Sequence, residues 1–227
     1  EKLPPMDDME KTRSLRPELA GKKIFIIRHA QGEHNVSSTF EYDPALTKSG
    51  LRQVRNQLPL AQSLDVDLVL VSPMRRTLQT ATGLFPQHAN MVAYEPLREG
   101  VSESCNIRLP AENLEKMFPE VNFGQIERGP DKHLRRFIKA GDIPDLQTLT
   151  TSDCWDEETE EEMTIRAEEV IRYVAGREER SIALVSHAMF LHSLIFALRN
   201  GAQNDSTCLY ADYLDNCEIR FVDHISV

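Results

Sequence analysis

A chain of 227 residues with 41% apolar and 27% charged side chains has the size and balance of one large globular domain, which excludes a disordered or fibrous class. Its formal net charge of −10, from 36 acidic against 26 basic side chains, opposes the broad polyanion-binding surface that nucleic acid demands. Any phosphate site must therefore be a local pocket. Apolar runs all stay short of the ~20 residues that cross a bilayer, and the first twenty residues hold no signal-peptide block. The expectation is a soluble cytoplasmic protein with no nucleic-acid or membrane partner.

Residues 1–20 read as an N-terminal arm and residues 21–227 as a single domain. IFII, 24 to 27, is a short buried strand, and DLVLV (67–71) and SIALV (181–185) repeat its character. After the second strand, Met74, Thr77, Leu78, Ala81, Leu84 and Phe85 keep helical spacing, with Ser72 predicted as the N-cap and Pro73 as the first helical residue. Between about 96 and 155 the pattern breaks into Pro- and Gly-punctuated stretches with short helical pieces, PAENLEKMF and DKHLRRFI. An irregular segment of this length predicts an inserted lid. Met163, Ala167, Val170, Ile171, Val174 and Ala175 share a helical face, with the acidic run DEETEEE (156–162) at its start and Gly176 as its stop. A last helix begins near His187, carries Phe190, Leu191, Leu194, Ile195 and Leu198, and ends near Asn200 and Gly201. CLYADYLDNCEIRFV (208–222) predicts a C-terminal hairpin.

Strands alternating with helices predict an α/β fold: a mostly parallel sheet with helices on both faces. The four cysteines, Cys105, Cys154, Cys208 and Cys217, form no CxxC pair and are expected as free thiols. A two-residue turn at Asp215 and Asn216 sets Leu214, not Cys208, opposite Cys217, so no disulfide is assigned.

Ligands of open α/β sheets bind beyond the carboxyl ends of the strands. Those ends deliver Arg28 and His29, then Ser72, Arg75 and Arg76, then Ser186 and His187. Two histidines, two or three arginines and helix N-termini describe a site for a tetrahedral dianion such as phosphate. Taken singly each piece reads as well another way: His187 as a core histidine, Arg75 and Arg76 as solvated charges, His34 as a surface residue. Zinc on His29, His34 and His187 lacks a carboxylate or cysteine at ligand spacing, so no metal and no cofactor is expected.

These residues resemble the histidine phosphatase superfamily, also called phosphoglycerate mutase-like. RHAQGEHN is similar to its opening motif, DPALTKSG to its D-x-x-L-T-x-x-G segment, VSPMRRTLQTA to its S-P-x-x-R-x-x-Q-T-A helix, and VSHAMFLHSL to its second-histidine motif. PLREGVSESCNIR and FPEVNF look most like a phosphatase-like branch. The resemblance implies a metal-independent phosphomonoesterase acting on a small phosphorylated metabolite or a phosphoprotein. His29 would be the nucleophile that forms a phosphohistidine; Arg28, Arg76 and His187 would hold the phosphoryl oxygens; Asn35 would donate its amide. Glu99 would serve as acid and then base, with Glu95 and Glu103 as alternatives. Gln31, Ser37 and Arg98 are candidate substrate contacts. Arg98, Arg108, Lys132, Arg135 and Arg136 are lid cations that could meet a second anion, though solvated surface accounts for each as well. Ala30 stands where the family has glycine and would bring a methyl group near the phosphate; Ala188 follows His187 where glycine or serine is common. Two readings compete with hydrolysis. One is a phosphoglycerate mutase, whose tryptophan-containing segment and R-H-Y-G-x-L-x-G run are missing here. The other is a low-turnover homologue that binds a phosphorylated ligand or partner. Oligomeric state, monomer or homodimer, is unread.

Overall fold

A computed structural model describes residues 16–37, 42–137, 156–199 and 213–222. Five strands, β1 (Lys23–Arg28), β2 (Leu68–Val71), β3 (Met91–Ala93), β4 (Ser181–Ser186) and β5 (Ile219–Phe221), form one sheet in the order β3-β2-β4-β1-β5. Every neighbouring pair is parallel except β1 with β5. Five α-helices accompany it: α1 (Lys48–Ser63), α2 (Arg75–Leu84), α3 (Ala111–Met117), α4 (Glu160–Ala175) and α5 (Ala188–Leu198).

Alternation along the strands builds two apolar layers, because successive side chains leave opposite faces of a sheet. Ile24, Ile26, Leu68, Leu70, Ile182 and Leu184 pack with Val170 and Ile171 of α4 and Phe190 and Leu194 of α5. Ile27, Val69, Val71, Ala183 and Val185 pack with Val54 of α1, Leu78 and Ala81 of α2 and Leu114 of α3. Helices thus cover both faces, and each fully buried aliphatic side chain contributes roughly 1.5–3 kcal/mol. A strand covered on both sides must be apolar throughout, as β2 (LVLV) is, with all four residues buried.

Several sequence expectations are corrected. Helix α2 starts at Arg75, with Met74 at its N-cap, not at Pro73; the Ser72 hydroxyl faces His187 instead, at 2.8 Å. α1 and β3 were not anticipated. Gly50 and Pro59 interrupt the helical pattern of α1, and β3 has only three residues. The acidic run does start a helix: Thr159 caps α4 and Glu162 returns to the Thr159 N–H at 2.8 Å, a capping box. Of the expected C-terminal hairpin (208–222), residues 208–212 lie outside the described residues; β5, in its second half, pairs antiparallel with β1. Cys105 and Cys217 are free thiols, while Cys154 and Cys208 lie outside the described residues. The C-terminal end of the last helix is Leu198, with Arg199 at the cap.

Between residues 96 and 137, α3 follows a single 3-10 turn at Ser104–Asn106 and precedes a longer one at Lys132–Phe137. Val101, Ile107, Leu134 and Phe137 form a small apolar cluster of their own, with Tyr42 against it. Residues 138–155 lie outside the described residues.

Candidate active site

Strand register explains why the histidines meet. Arg28 pairs with Ser186 across β1 and β4, so His29 and His187, the next residue on each strand, arrive side by side with ring centroids 5.1 Å apart. Val71 pairs with Val185 on the other side of β4, which brings Ser72 to the same level. All three residues follow the last paired residue of their strands, at the carboxyl edge of the sheet.

His29 is buried, and its Nδ1 lies 2.7 Å from the Ala30 carbonyl oxygen. A carbonyl can only accept, so Nδ1 carries the proton and Nε2 keeps a lone pair. Burial, reinforced by Arg76, lowers the His29 pKa well below the ordinary 6.5 and keeps the ring neutral. The same causes, in the same order, lower His187, and burial with Arg76 and then Arg28 takes His34 down to about 3. His34 is half-buried and its ring centroid is 5.5 Å from that of His29, so it belongs to the site and not to the open surface.

Three cationic or amide groups border the His29 ring. Arg76 is 1% exposed and donates to the Cys105 carbonyl at 2.8 Å and to Asn106 Oδ1 at 2.9 Å. Arg28 donates to the Leu214 carbonyl at 2.7 Å. Asn35 contacts His34 Nε2 at 3.2 Å through Nδ2, while its Oδ1 accepts from the Gly32 N–H at 2.9 Å. Arg28 Nε, Arg76 Nε, His34 Nδ1 and His187 Nδ1 are buried without a hydrogen-bond partner among the described residues. An unsatisfied buried polar group costs about 1–3 kcal/mol, so four such atoms on the arginines and histidines at this end of the sheet need a reason; His187 itself is fully buried and does not line the cavity that Arg28, His34 and Arg76 share.

Glu99 stands across the site at the N-terminus of α5. Its Oε1 accepts from the N–H groups of Gly100 at 3.0 Å and Phe190 at 2.9 Å, and its Oε2 from that of Met189 at 3.2 Å. Arg166 of α4 fixes the preceding loop by donating to the carbonyls of Pro96 at 2.8 Å and Arg98 at 2.7 Å, while Glu158 holds its other nitrogens. Arg28, His29, His34, Asn35, Arg76 and Glu99 line a single cavity of about 420 Å³, within the usual range for small-molecule sites.

Gln31, Ser37 and Arg98 keep other company and do not line this cavity. The Gln31 carboxamide oxygen accepts from Thr47 Oγ1 at 2.9 Å, and the Ser37 N–H donates to the Glu33 carbonyl at 3.0 Å. Arg98 is 1% exposed and ion-paired with Asp131 at 3.0 Å and Glu95 at 3.1 Å. Arg108 is likewise buried against Glu95 at 3.2 Å, and Arg136 pairs with Glu162 at 2.7 Å, so none of these three is merely solvated surface. The pairing also occupies Glu95, the first alternative to Glu99. Ala30 is fully buried in the apolar layer beneath the site with Leu46 and Leu78; its N–H donates to Thr80 Oγ1 at 3.0 Å. Among the described residues, Glu95, Asp131 and His133 form the one three-ligand group of metal-binding type. Arg98 and Arg108 already neutralise both of its carboxylates, which opposes a further cation there.

Sequence reasoning missed Ser72 as the partner of His187, Thr80 as the support of Ala30, and Asn106 as the acceptor for Arg76. Thr80 was within reach of pattern alone. It lies four residues after Arg76, on the same face of α2.

The model of the histidine phosphatase superfamily (branch 1) matches residues 24–116. A phosphoglycerate mutase-like protein of Arabidopsis thaliana is 30% identical over 242 residues, covering 88% of this chain and 83% of the relative. The chain belongs to the histidine phosphatase superfamily. A probable phosphatase of Schizosaccharomyces pombe is 32% identical over 120 residues, covering 48% of this chain and 55% of the relative. Among solved structures, the α-ribazole phosphatase of Shigella flexneri has the same fold, with a TM-score of 0.55 at 17% identity over 88% of this chain and 89% of that one. Among the described residues, no helix of this superfamily member is long and apolar enough to cross a membrane.

Proposed function

We propose that this chain is a metal-independent phosphomonoesterase that acts on a small phosphorylated compound through a phosphohistidine at His29. The observation that carries this reading is the neutral His29 ring, its Nδ1 tied to a carbonyl and its ring set in a cavity with Arg28 and Arg76. In the first step the Nε2 lone pair forms a bond to phosphorus in line with the ester oxygen, whose bond breaks. Glu99 supplies the proton that the leaving alkoxide takes. Arg28, Arg76, Asn35 and His187 stabilise the equatorial oxygens, where charge resides through a loose transition state. In the second step the Glu99 carboxylate removes a proton from water, oxygen bonds to phosphorus, and the P–N bond breaks to release phosphate and restore His29.

The test is turnover of p-nitrophenyl phosphate in excess chelator by the native chain and by His29→Ala. Native activity is expected to persist, and the variant to lose about a thousandfold or more. Activity that needs added divalent metal, or that survives the substitution, defeats the reading.

A further inference from the structure

We propose that the substrate is a phosphomonoester carrying an ammonium group, its phosphate on the arginines and its cation facing a wall of glutamates. This deepens the phosphatase reading and rests on it. The lining of the cavity includes two cations, Arg28 and Arg76, against five glutamates, Glu99, Glu103, Glu157, Glu158 and Glu160. Counted as carboxylates they give a formal balance of 2 − 5 = −3, or 2 − 3 = −1 with Glu158, paired with Arg166, and Glu99, which holds the proton in the first step, set aside. Two of the acids have other work. Glu158 is ion-paired with Arg166 at 2.8 Å, and Glu99 accepts from backbone N–H groups at the start of α5.

Glu103, Glu157 and Glu160 remain. All three are exposed and have no ion-pair partner among the described residues; Glu103 receives only the Cys105 thiol, at 3.5 Å. The rest of the wall is small or apolar, with Met163, Ala188 and Met189. A ligand is called for independently by Arg76, 1% exposed, lining the same cavity and holding a buried Nε without a partner among the described residues. A substrate whose far end carries a carboxylate or second phosphate sets that charge among three like charges. One with an ammonium group gains three weak, salt-sensitive attractions.

The experiment compares kcat/KM for phosphoethanolamine and 2-hydroxyethyl phosphate, which share the phosphate and chain length and differ in ammonium against hydroxyl. A preference of roughly five- to tenfold for the ammonium ester is expected at low ionic strength, shrinking severalfold as salt rises. In the E103Q/E157Q/E160Q variant the ratio should fall towards one. Equal rates for both esters, a preference for the hydroxyl ester, or an unchanged ratio in the triple variant overturns the proposal. Equilibrium binding of the same two esters to His29→Ala protein reads the preference without turnover. A silent chain that still binds the ammonium ester more tightly defeats the phosphatase reading while upholding the charge preference; hydrolysis of both esters at one rate does the reverse.

Discussion

Ser72 and His187 touch through Oγ and Nε2 at 2.8 Å, and neither is exposed. With His187 neutral, a ring that offers Nδ1–H to a phosphoryl oxygen must accept at Nε2, and the Ser72 hydroxyl is the group placed to donate there. Ser72→Ala leaves Nε2 buried and unpaired and frees the ring to take the other tautomer. A fall of roughly 10- to 100-fold in kcat/KM on p-nitrophenyl phosphate is expected, with nitrogen-15 imidazole spectra showing loss of the Nδ1-protonated form. Undiminished activity would show that the hydroxyl is packing and no more. Arg28, His29 and His187 were legible in sequence because each stands where an apolar run ends, and polar residues at such points need a reason; the choice of Arg76 over Arg75 came only from the family resemblance. Ser72 was visible but given the wrong task. Its partner is 115 residues away, and no local rule reaches across strand order. Asn106 was hidden for the same reason, as its side chain joins Arg76 to the Gly100 carbonyl, which it meets at 2.9 Å.

Among elements, α1 shows what periodicity overlooks. Thr47 caps it by accepting from the Gly50 N–H at 2.9 Å and reaches the Gln31 side chain, so the first turn of α1 supports the loop that follows His29. The approach is close. A Cβ added at Gly50 would lie 2.2 Å from the Gln31 carbonyl oxygen, which is backbone and cannot swing aside. Gly50→Ala is therefore expected to destabilise the fold by about 1–3 kcal/mol and to lower kcat/KM by displacing the loop. Denaturant titration and steady-state kinetics read the two effects, and a fully stable, fully active variant would contradict the stated packing. In sequence this glycine reads as a helix breaker. Only the contact shows it as the condition for the helix to dock. The parallel strands β1, β2 and β4, with α4 and α5, were legible because long apolar faces and an acidic helix start are local signals. Between 96 and 137 the two short helical pieces were legible, but the chain around them read only as irregular, since its order rests on ion pairs such as that of Arg98 with Asp131, which leave no periodic trace.

For the whole molecule, four histidines among the described residues, held neutral by burial, couple folding to pH. His29, His34, His133 and His187 all have folded pKa values below the ordinary 6.5. Below that value the unfolded chain binds protons that the folded chain refuses, so stability is fully present above it and falls as pH falls. Asp43, buried and raised from 3.8 to about 6, acts the other way, because in that window the folded state takes the proton first. Four groups oppose one, and the melting temperature is expected to drop between pH ~7.5 and ~5; a flat or rising melting temperature would show that these rings are not held neutral. The end of β1 is held from far along the chain. Arg28 donates to Leu214, the Asn216 side chain donates to the His29 carbonyl at 3.1 Å, and the Cys217 N–H reaches the carbonyls of Arg28 and His29, each at 3.2 Å. Chains are made from the N-terminus, so His29, the proposed nucleophile, is synthesised well before the residues that secure it. A chain cut before Leu214 would contain every side chain assigned to catalysis and still lack the fastening that aims two of them, which makes this latch a late checkpoint between synthesis and activity.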